Sequence, residues 1–218
     1  MNQLTFKFPF KTSYFEKDFY VSSNNFLAYR LVESWPKWTS NYINIYGPRG
    51  CGKTHLGNIL KKKIDSIIIE SKNFNEKKLD VLKTKKCLIV DNYNNDIDEK
   101  LLYTTINLID QTNKFIVINS TIPIKKMIIN LKDLKSRIDS FTSLGIDLPS
   151  DELLRVIITK SFSDKQIEIN VKLLEYIIKN IDRSYEKVFK FIRDIDKASL
   201  SSGKSININL IKKVLNEK

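Results

Sequence analysis

Residues Gly47-Pro48-Arg49-Gly50-Cys51-Gly52-Lys53-Thr54 satisfy the pattern G-x-x-x-x-G-K-[ST] in full, and no other feature restricts the fold of this chain so strongly. The pattern carries meaning only between a strand and a helix. Residues 43–46 before it are a short apolar run, and residues 55–63 after it read as a helix. In that setting the glycines let the backbone wrap closely around phosphate oxygens, and the amides of Gly50 to Thr54 converge at a helix amino terminus. Lys53 then reaches the β and γ oxygens, and Thr54 offers its hydroxyl to Mg2+. The expected nucleotide-binding set is Gly47, Gly50, Cys51, Gly52, Lys53, Thr54 and His55. His55, the one histidine, is on the first helical turn, where packing or solvent exposure outweighs catalysis.

The rest of the chain repeats the strand-then-helix rhythm. Apolar runs at 43–46, 66–70, 87–91 and 115–119 predict strands, with a further one at 144–148. The runs at 87–91 and 115–119 are almost continuously apolar, as strands buried on both faces are, and helices between them imply parallel pairing. Upstream, Phe26, Leu27, Leu31, Val32 and Trp35 recur at helical spacing, with Ser23 or Asn24 available as a cap. After Pro149 only helices follow: one opened by Ser150-Asp151-Glu152, then 170–181, 184–199 and 209–216. The expected organisation is an extended arm over 1–12, an α/β core with a parallel sheet over 13–149, and a small all-helical lid over 150–218.

A formal charge of +12 invites a nucleic-acid partner, because phosphate backbones recruit Lys and Arg. The basic residues are spread, however: 23 against 15 acidic up to residue 149, and 14 against 10 beyond. That distribution fits a general drift toward Lys, Asn and Ile equally well, so association with DNA is expected to be indirect. No apolar run reaches the 18 residues of a membrane span, and the N-terminus lacks a signal-peptide block, so a cytoplasmic protein is expected. Cys51 and Cys87 fall in the phosphate loop and a buried strand, where a disulfide framework makes little sense.

A Mg2+–nucleotide site needs an acidic group at the end of a neighbouring buried strand, and Asp91 after Cys87-Leu88-Ile89-Val90 supplies it. Asp91 and Thr54 are the expected metal-holding pair. The next residue is Asn92, where a second carboxylate would polarise the attacking water, so that general-base position is unfilled. The strand over 115–119 ends in Asn119-Ser120-Thr121. Asn119 and Thr121 are placed either to sense a γ-phosphate or to make ordinary strand-end hydrogen bonds.

This order of motifs resembles the AAA+ module of the replication initiator DnaA: a helix opened by Ser-Ser-Asn, GPRGCGKTH, LIVDN, a strand ending INST, Leu134-Lys135-Ser136-Arg137, and a helical lid. The likeness covers about residues 13–200. Within that family the chain is most similar to the Hda group, the DnaA-homologous regulatory inactivators. Three features carry this: no helix-turn-helix follows the lid, Asn rather than Asp follows Asp91, and Gln3-Leu4-Thr5-Phe6-Lys7-Phe8 looks like a sliding-clamp-binding peptide.

The resemblance implies a regulator that binds ADP or ATP with Mg2+, docks on the β sliding clamp of DNA polymerase III through Gln3, Leu4, Phe6 and Phe8, and promotes hydrolysis of DnaA-bound ATP. Arg137 would be the arginine finger offered in trans, and a homo-oligomer is compatible with such a finger. The residues leave alternatives open. The hexapeptide could instead pack on the protein's own core, and Arg137 could pair with Asp133 or Asp139 on the surface. A helicase-loader type of ATPase and a DNA-binding module are the competing functions. One departure from the family stands at Glu186, where a sensor arginine is expected. A carboxylate there repels a γ-phosphate, which points to ADP as the ligand or to a weak intrinsic ATPase.

Overall fold

A computed structural model of the chain describes residues 19–202 and 205–216. The arm over 1–12, with Gln3, Leu4, Phe6 and Phe8, lies outside the described residues. The chain divides into two compact units between Asp147 and Leu148.

The first unit is a five-stranded parallel sheet in the order β2-β3-β4-β1-β5. Its strands are β1 (Tyr42–Tyr46), β2 (Ser66–Glu70), β3 (Cys87–Tyr93), β4 (Phe115–Ser120) and β5 (Thr142–Gly145). The hydrophobic pattern explains the order. Leu88, Ile89, Val90, Ile116, Val117 and Ile118 are all buried, so β3 and β4 must lie inside the sheet with helices on both faces. Each such side chain contributes about 1.5–3 kcal/mol by leaving water. The edge strands β2 and β5 are only partly buried, as their mixed sequences allow.

Five helices cover the sheet: α1 (Phe26–Glu33), α2 (Lys53–Lys63), α3 (Lys77–Lys83), α4 (Glu99–Gln111) and α5 (Lys132–Asp139). Leu102, Ile106 and Ile109 of α4 and Leu134 and Ile138 of α5 share one core with Leu88, Val90, Ile116 and Ile118. α2 approaches the sheet closely through Gly57, where an added Cβ would stand 3.4 Å from Ile89 Cγ2.

The last strand expected at 144–148 is instead Thr142–Gly145. Its register is set by pairing of Ile43 with Thr142 and Tyr46 with Gly145, and Ile146 N continues with a bond to Tyr46 O at 2.8 Å. The apolar pair Ile146 and Leu148 had drawn the expectation too far along. α1 also starts later than expected. Asn25 is its cap position but makes no capping bond, because its side chain closes the preceding turn, accepting from Ser22 N (2.9 Å) and donating to Tyr20 O (2.9 Å).

The second unit holds α6 (Asp151–Ser163), α7 (Val171–Asn180), α8 (Tyr185–Ser202) and α9 (Ile208–Asn216). Ser150 and Asn170 cap α6 and α7 by accepting from the amides of Leu153 and Leu173. Leu154, Ile158, Phe162, Ile177, Val188, Ile195 and Ile211 form its core. Ion pairs Arg155–Glu175, Lys165–Asp196 and Arg183–Asp151 bind its surface together. No described helix of either unit is long and apolar enough to cross a membrane.

Candidate nucleotide-binding site

The loop from Gly47 to Gly52 joins β1 to α2, in the strand–loop–helix setting that the octapeptide requires. Gly47 N donates to Ser120 O at 3.2 Å, which ties the start of the loop to the end of β4. A side chain at Gly47 is impossible, because its Cβ would lie 2.6 Å from Ile146 O. Gly52 sits at φ +99°, a conformation open to glycine at little cost, and occupies the cap position of α2 without any side-chain cap. The first-turn amides of α2 are therefore left for an anion.

Lys53 is 7% exposed although it carries a charge. Its ammonium donates to Gly47 O (2.7 Å) and Pro48 O (2.9 Å) and lies 3.6 Å from Cys51 Sγ. The described residues give it no carboxylate partner. A buried ammonium held by carbonyls and a thiol, with no carboxylate among the described residues, is matched to an anion arriving at the loop. Cys51 packs inside the loop, where burial pushes its thiol pKa up, a shift the neighbouring Lys53 partly offsets. Burial alone pushes Cys87 in β3 up to about 12. Both cysteines are free.

Asp91 ends the apolar run of β3 and stands at the loop. Its Oδ2 accepts from Thr54 Oγ1 at 2.7 Å and its Oδ1 from Asn119 Nδ2 at 2.9 Å. Asn119 Nδ2 also reaches Lys53 O at 3.3 Å, so three sequence-distant segments converge on one point. Because its hydroxyl donates a hydrogen bond to Asp91, Thr54 keeps its oxygen lone pairs for a cation. Asn119 Oδ1 is buried with no partner, and such an orphaned acceptor needs a donor that a bound ligand or its water supplies. The residues present therefore fit a Mg2+–nucleotide: Gly47 to Thr54 would hold the phosphates, and Thr54 with Asp91 the metal. The metal would neutralise phosphate charge there.

Other residues near the loop have different surroundings. Thr121 is exposed just beyond β4, whereas Asn119 and Ser120 are buried. Asn92 occupies an irregularity of β3 between Val90 and Tyr93 with φ 57°, a left-handed position that Asn tolerates, and its side chain is exposed. His55 meets the edge of Phe19 at 5.4 Å between ring centroids. Phe19 was not singled out from sequence, yet it packs over Gly52 and stacks on Tyr29 at 5.8 Å.

Arg137 lies at the opposite end of the sheet. It is in the last turn of α5, and its Nη1 is 3.4 Å from Asp110 Oδ2, not bound to Asp133 or Asp139 as the surface-pair alternative held. Lys135 takes Asp139 instead, at 3.1 Å. Asp110 Oδ1 in turn accepts from the hydroxyl of Tyr42, the first residue of β1, at 2.7 Å. The phosphate loop follows the other end of the same strand, about 13 Å further along at the usual rise.

The chain is similar in sequence and fold to known proteins. The profile described as the Hda lid domain matches residues 151–215, and one described as RNA helicase matches residues 43–137. The DnaA of Buchnera aphidicola subsp. Cinara cedri is 27% identical over 92% of this chain and 52% of that protein. An uncharacterized protein of Haemophilus influenzae is 22% identical over 92% of both. Domain III of Thermotoga maritima DnaA superposes with TM-score 0.78 at 22% identity, covering 96% of this chain and 98% of that one. The chain is a DnaA-like AAA+ protein. Its lid is Hda-like, and this DnaA-like chain spans about half the length of the DnaA relatives it matches. DnaA from Aquifex aeolicus, solved with bound AMPPCP, has a TM-score of 0.64 at 22% identity over 83% of this chain and 64% of that one.

Proposed function

We propose that this chain is a cytoplasmic regulator of replication initiation that holds an adenine nucleotide with Mg2+ at the Gly47–Thr54 loop, binds the sliding clamp through Gln3 to Phe8, and lends Arg137 to ATP held by DnaA. The observation that carries the proposal is the place of Arg137. Arg137 and the loop lie at opposite ends of β1, so this guanidinium cannot serve the chain's own γ-phosphate, and a half-exposed arginine is free to serve another subunit. A guanidinium delivered across an interface raises hydrolysis by about 10³–10⁵ in nucleotide hydrolases that use one.

Asn92 supports the same division of labour. Without a carboxylate beside Asp91, the chain's own nucleotide is held rather than turned over. Bound nucleotide then serves as a structural ligand, with ADP the species favoured. Association with DNA comes through the clamp.

The test is phosphate release from purified DnaA–ATP on mixing with this chain and clamp loaded on DNA. Stimulation that requires the clamp, and that is lost with the double substitution Gln3→Ala and Leu4→Ala, is the expected result. Stimulation indifferent to the clamp, or hydrolysis confined to the chain's own nucleotide, would point instead to a free-standing ATPase of the helicase-loader kind.

A further inference from the structure

α4 holds the arginine-bearing helix at both ends. At its amino end, Glu99 accepts from the backbone amides of Asn130 (2.9 Å) and Leu131 (2.7 Å), the residues that open α5, which has no side-chain cap of its own. At its carboxyl end, Asp110 meets Arg137 in the last turn of α5. The two helices thus lie side by side, amino end to amino end, with Leu102, Ile106, Ile109, Leu134 and Ile138 buried between them and the sheet. Arg137 is carried on a braced element and not on a loose loop.

The carboxylate that touches Arg137 is itself fixed. Tyr42 donates to Asp110 Oδ1, leaving Oδ2 for the guanidinium, so the chain Tyr42–Asp110–Arg137 runs from the sheet outward. The contact with Asp110 takes only Nη1 of the guanidinium, and the remaining N–H donors stay available. Asp110 also occupies an unfavourable place for its own helix: it is in the last turn of α4, where the helix dipole repels a carboxylate and where no basic residue stands. A residue that opposes its helix there has its compensation in the contacts it makes.

We propose that Asp110, anchored by the Tyr42 hydroxyl, is the positioning residue for Arg137, holding Nη1 of the guanidinium in place before a nucleotide-bearing partner docks. The inference rests on the reading that Arg137 acts on a partner's ATP. Long side chains lose much rotamer freedom on being fixed, and a guanidinium already oriented loses less of it in the transition state. Asp110 touches neither nucleotide nor metal, so its effect passes through Arg137.

The experiment compares wild type, Asp110→Asn, Asp110→Glu, Tyr42→Phe, Arg137→Ala and the Asp110→Asn/Arg137→Ala pair. All are measured in the DnaA–ATP phosphate-release assay with DNA-loaded clamp, with thermal melting of each variant alongside. Asp110→Asn is expected to lower the maximal stimulated rate about three- to tenfold while the concentration giving half-maximal stimulation stays within about twofold. Its melting temperature is expected to stay level or rise, since the dipole clash is relieved, and a purely structural role predicts the opposite sign. Asp110→Glu should recover part of the rate, Tyr42→Phe should lose part, and Asp110→Asn should change nothing further once Arg137 is Ala. A wild-type maximal rate in Asp110→Asn with a collapsed rate in Arg137→Ala overturns this inference alone. Full stimulation by Arg137→Ala overturns the functional reading and the inference together, and an additive loss in the double variant removes the coupling between the two residues.

Discussion

Gly52→Ala perturbs the one loop residue at which conformation and space act together. The native φ of +99° is strained for any residue with a Cβ, and the added carbon would stand 2.8 Å from Cε2 of Phe19. The left-handed backbone costs about 1–2 kcal/mol for an L side chain. Forcing a carbon against a packed ring costs about 1–3 kcal/mol. A stiffer unfolded chain returns only about 0.4–1 kcal/mol. Phe19 is wedged between Tyr29 and His55, so the ring yields only by breaking those contacts. The net loss comes to about 1–4.5 kcal/mol, which for an α/β unit of this size lowers the melting temperature by about 3–15 °C. Scanning fluorimetry of nucleotide-free protein reads that shift. The clash component is isolated by a double-mutant cycle with Phe19→Ala, expected to show a coupling of about 1 kcal/mol. A variant melting within about 1 °C of wild type, or a cycle with no coupling, would refute the reasoning.

Two further outcomes follow from the same geometry. Lys53→Ala removes the buried ammonium that bridges Gly47 O and Pro48 O and would meet the phosphates, so calorimetry should detect no ADP binding; wild-type affinity would show that the anion lies elsewhere. Glu99 has a pKa lowered first by its bond from the Asn130 amide and then by that from Leu131, so its stabilising contribution is present above the ordinary carboxylate pKa and disappears as pH falls through the lowered value. Glu99→Gln should therefore flatten the decline of melting temperature on acidification below the ordinary carboxylate range, and an unchanged decline would mean that the clasp on α5 does not titrate.

The sheet was largely legible because its chemistry is local and repetitive. The apolar runs of β3 and β4 announce burial on both faces, and Ser150 and Asn170 announce helix starts through capping that depends on neighbours in sequence. The phosphate loop was legible for the same reason: its glycines, Lys53 and Thr54 work from fixed spacing. β5 was placed too late because an edge strand is defined by the partner it pairs with, and Ile146 and Leu148 look no less strand-like than Thr142. Contacts that join distant segments were invisible in the sequence. Nothing near Arg137 points to Asp110, which is 27 residues away, or to Tyr42, and nothing near Gly52 points to Phe19. A carboxylate in the last turn of a helix with no basic neighbour was the one available hint for Asp110.

The central claim is that this chain supplies a guanidinium to ATP on another protein, and Arg137→Ala tests it most directly. The variant removes a side chain that is half-exposed and held by one ion pair, so folding and ADP binding should be unaffected. Phosphate release from DnaA–ATP in the presence of DNA-loaded clamp should fall by at least about tenfold relative to wild type. Arg137→Lys should recover little of it, because an ammonium on a flexible stem does not reproduce the planar fork. Full stimulation by both variants would contradict the account, leaving Arg137 a surface residue and the chain without a means of acting on its partner's nucleotide.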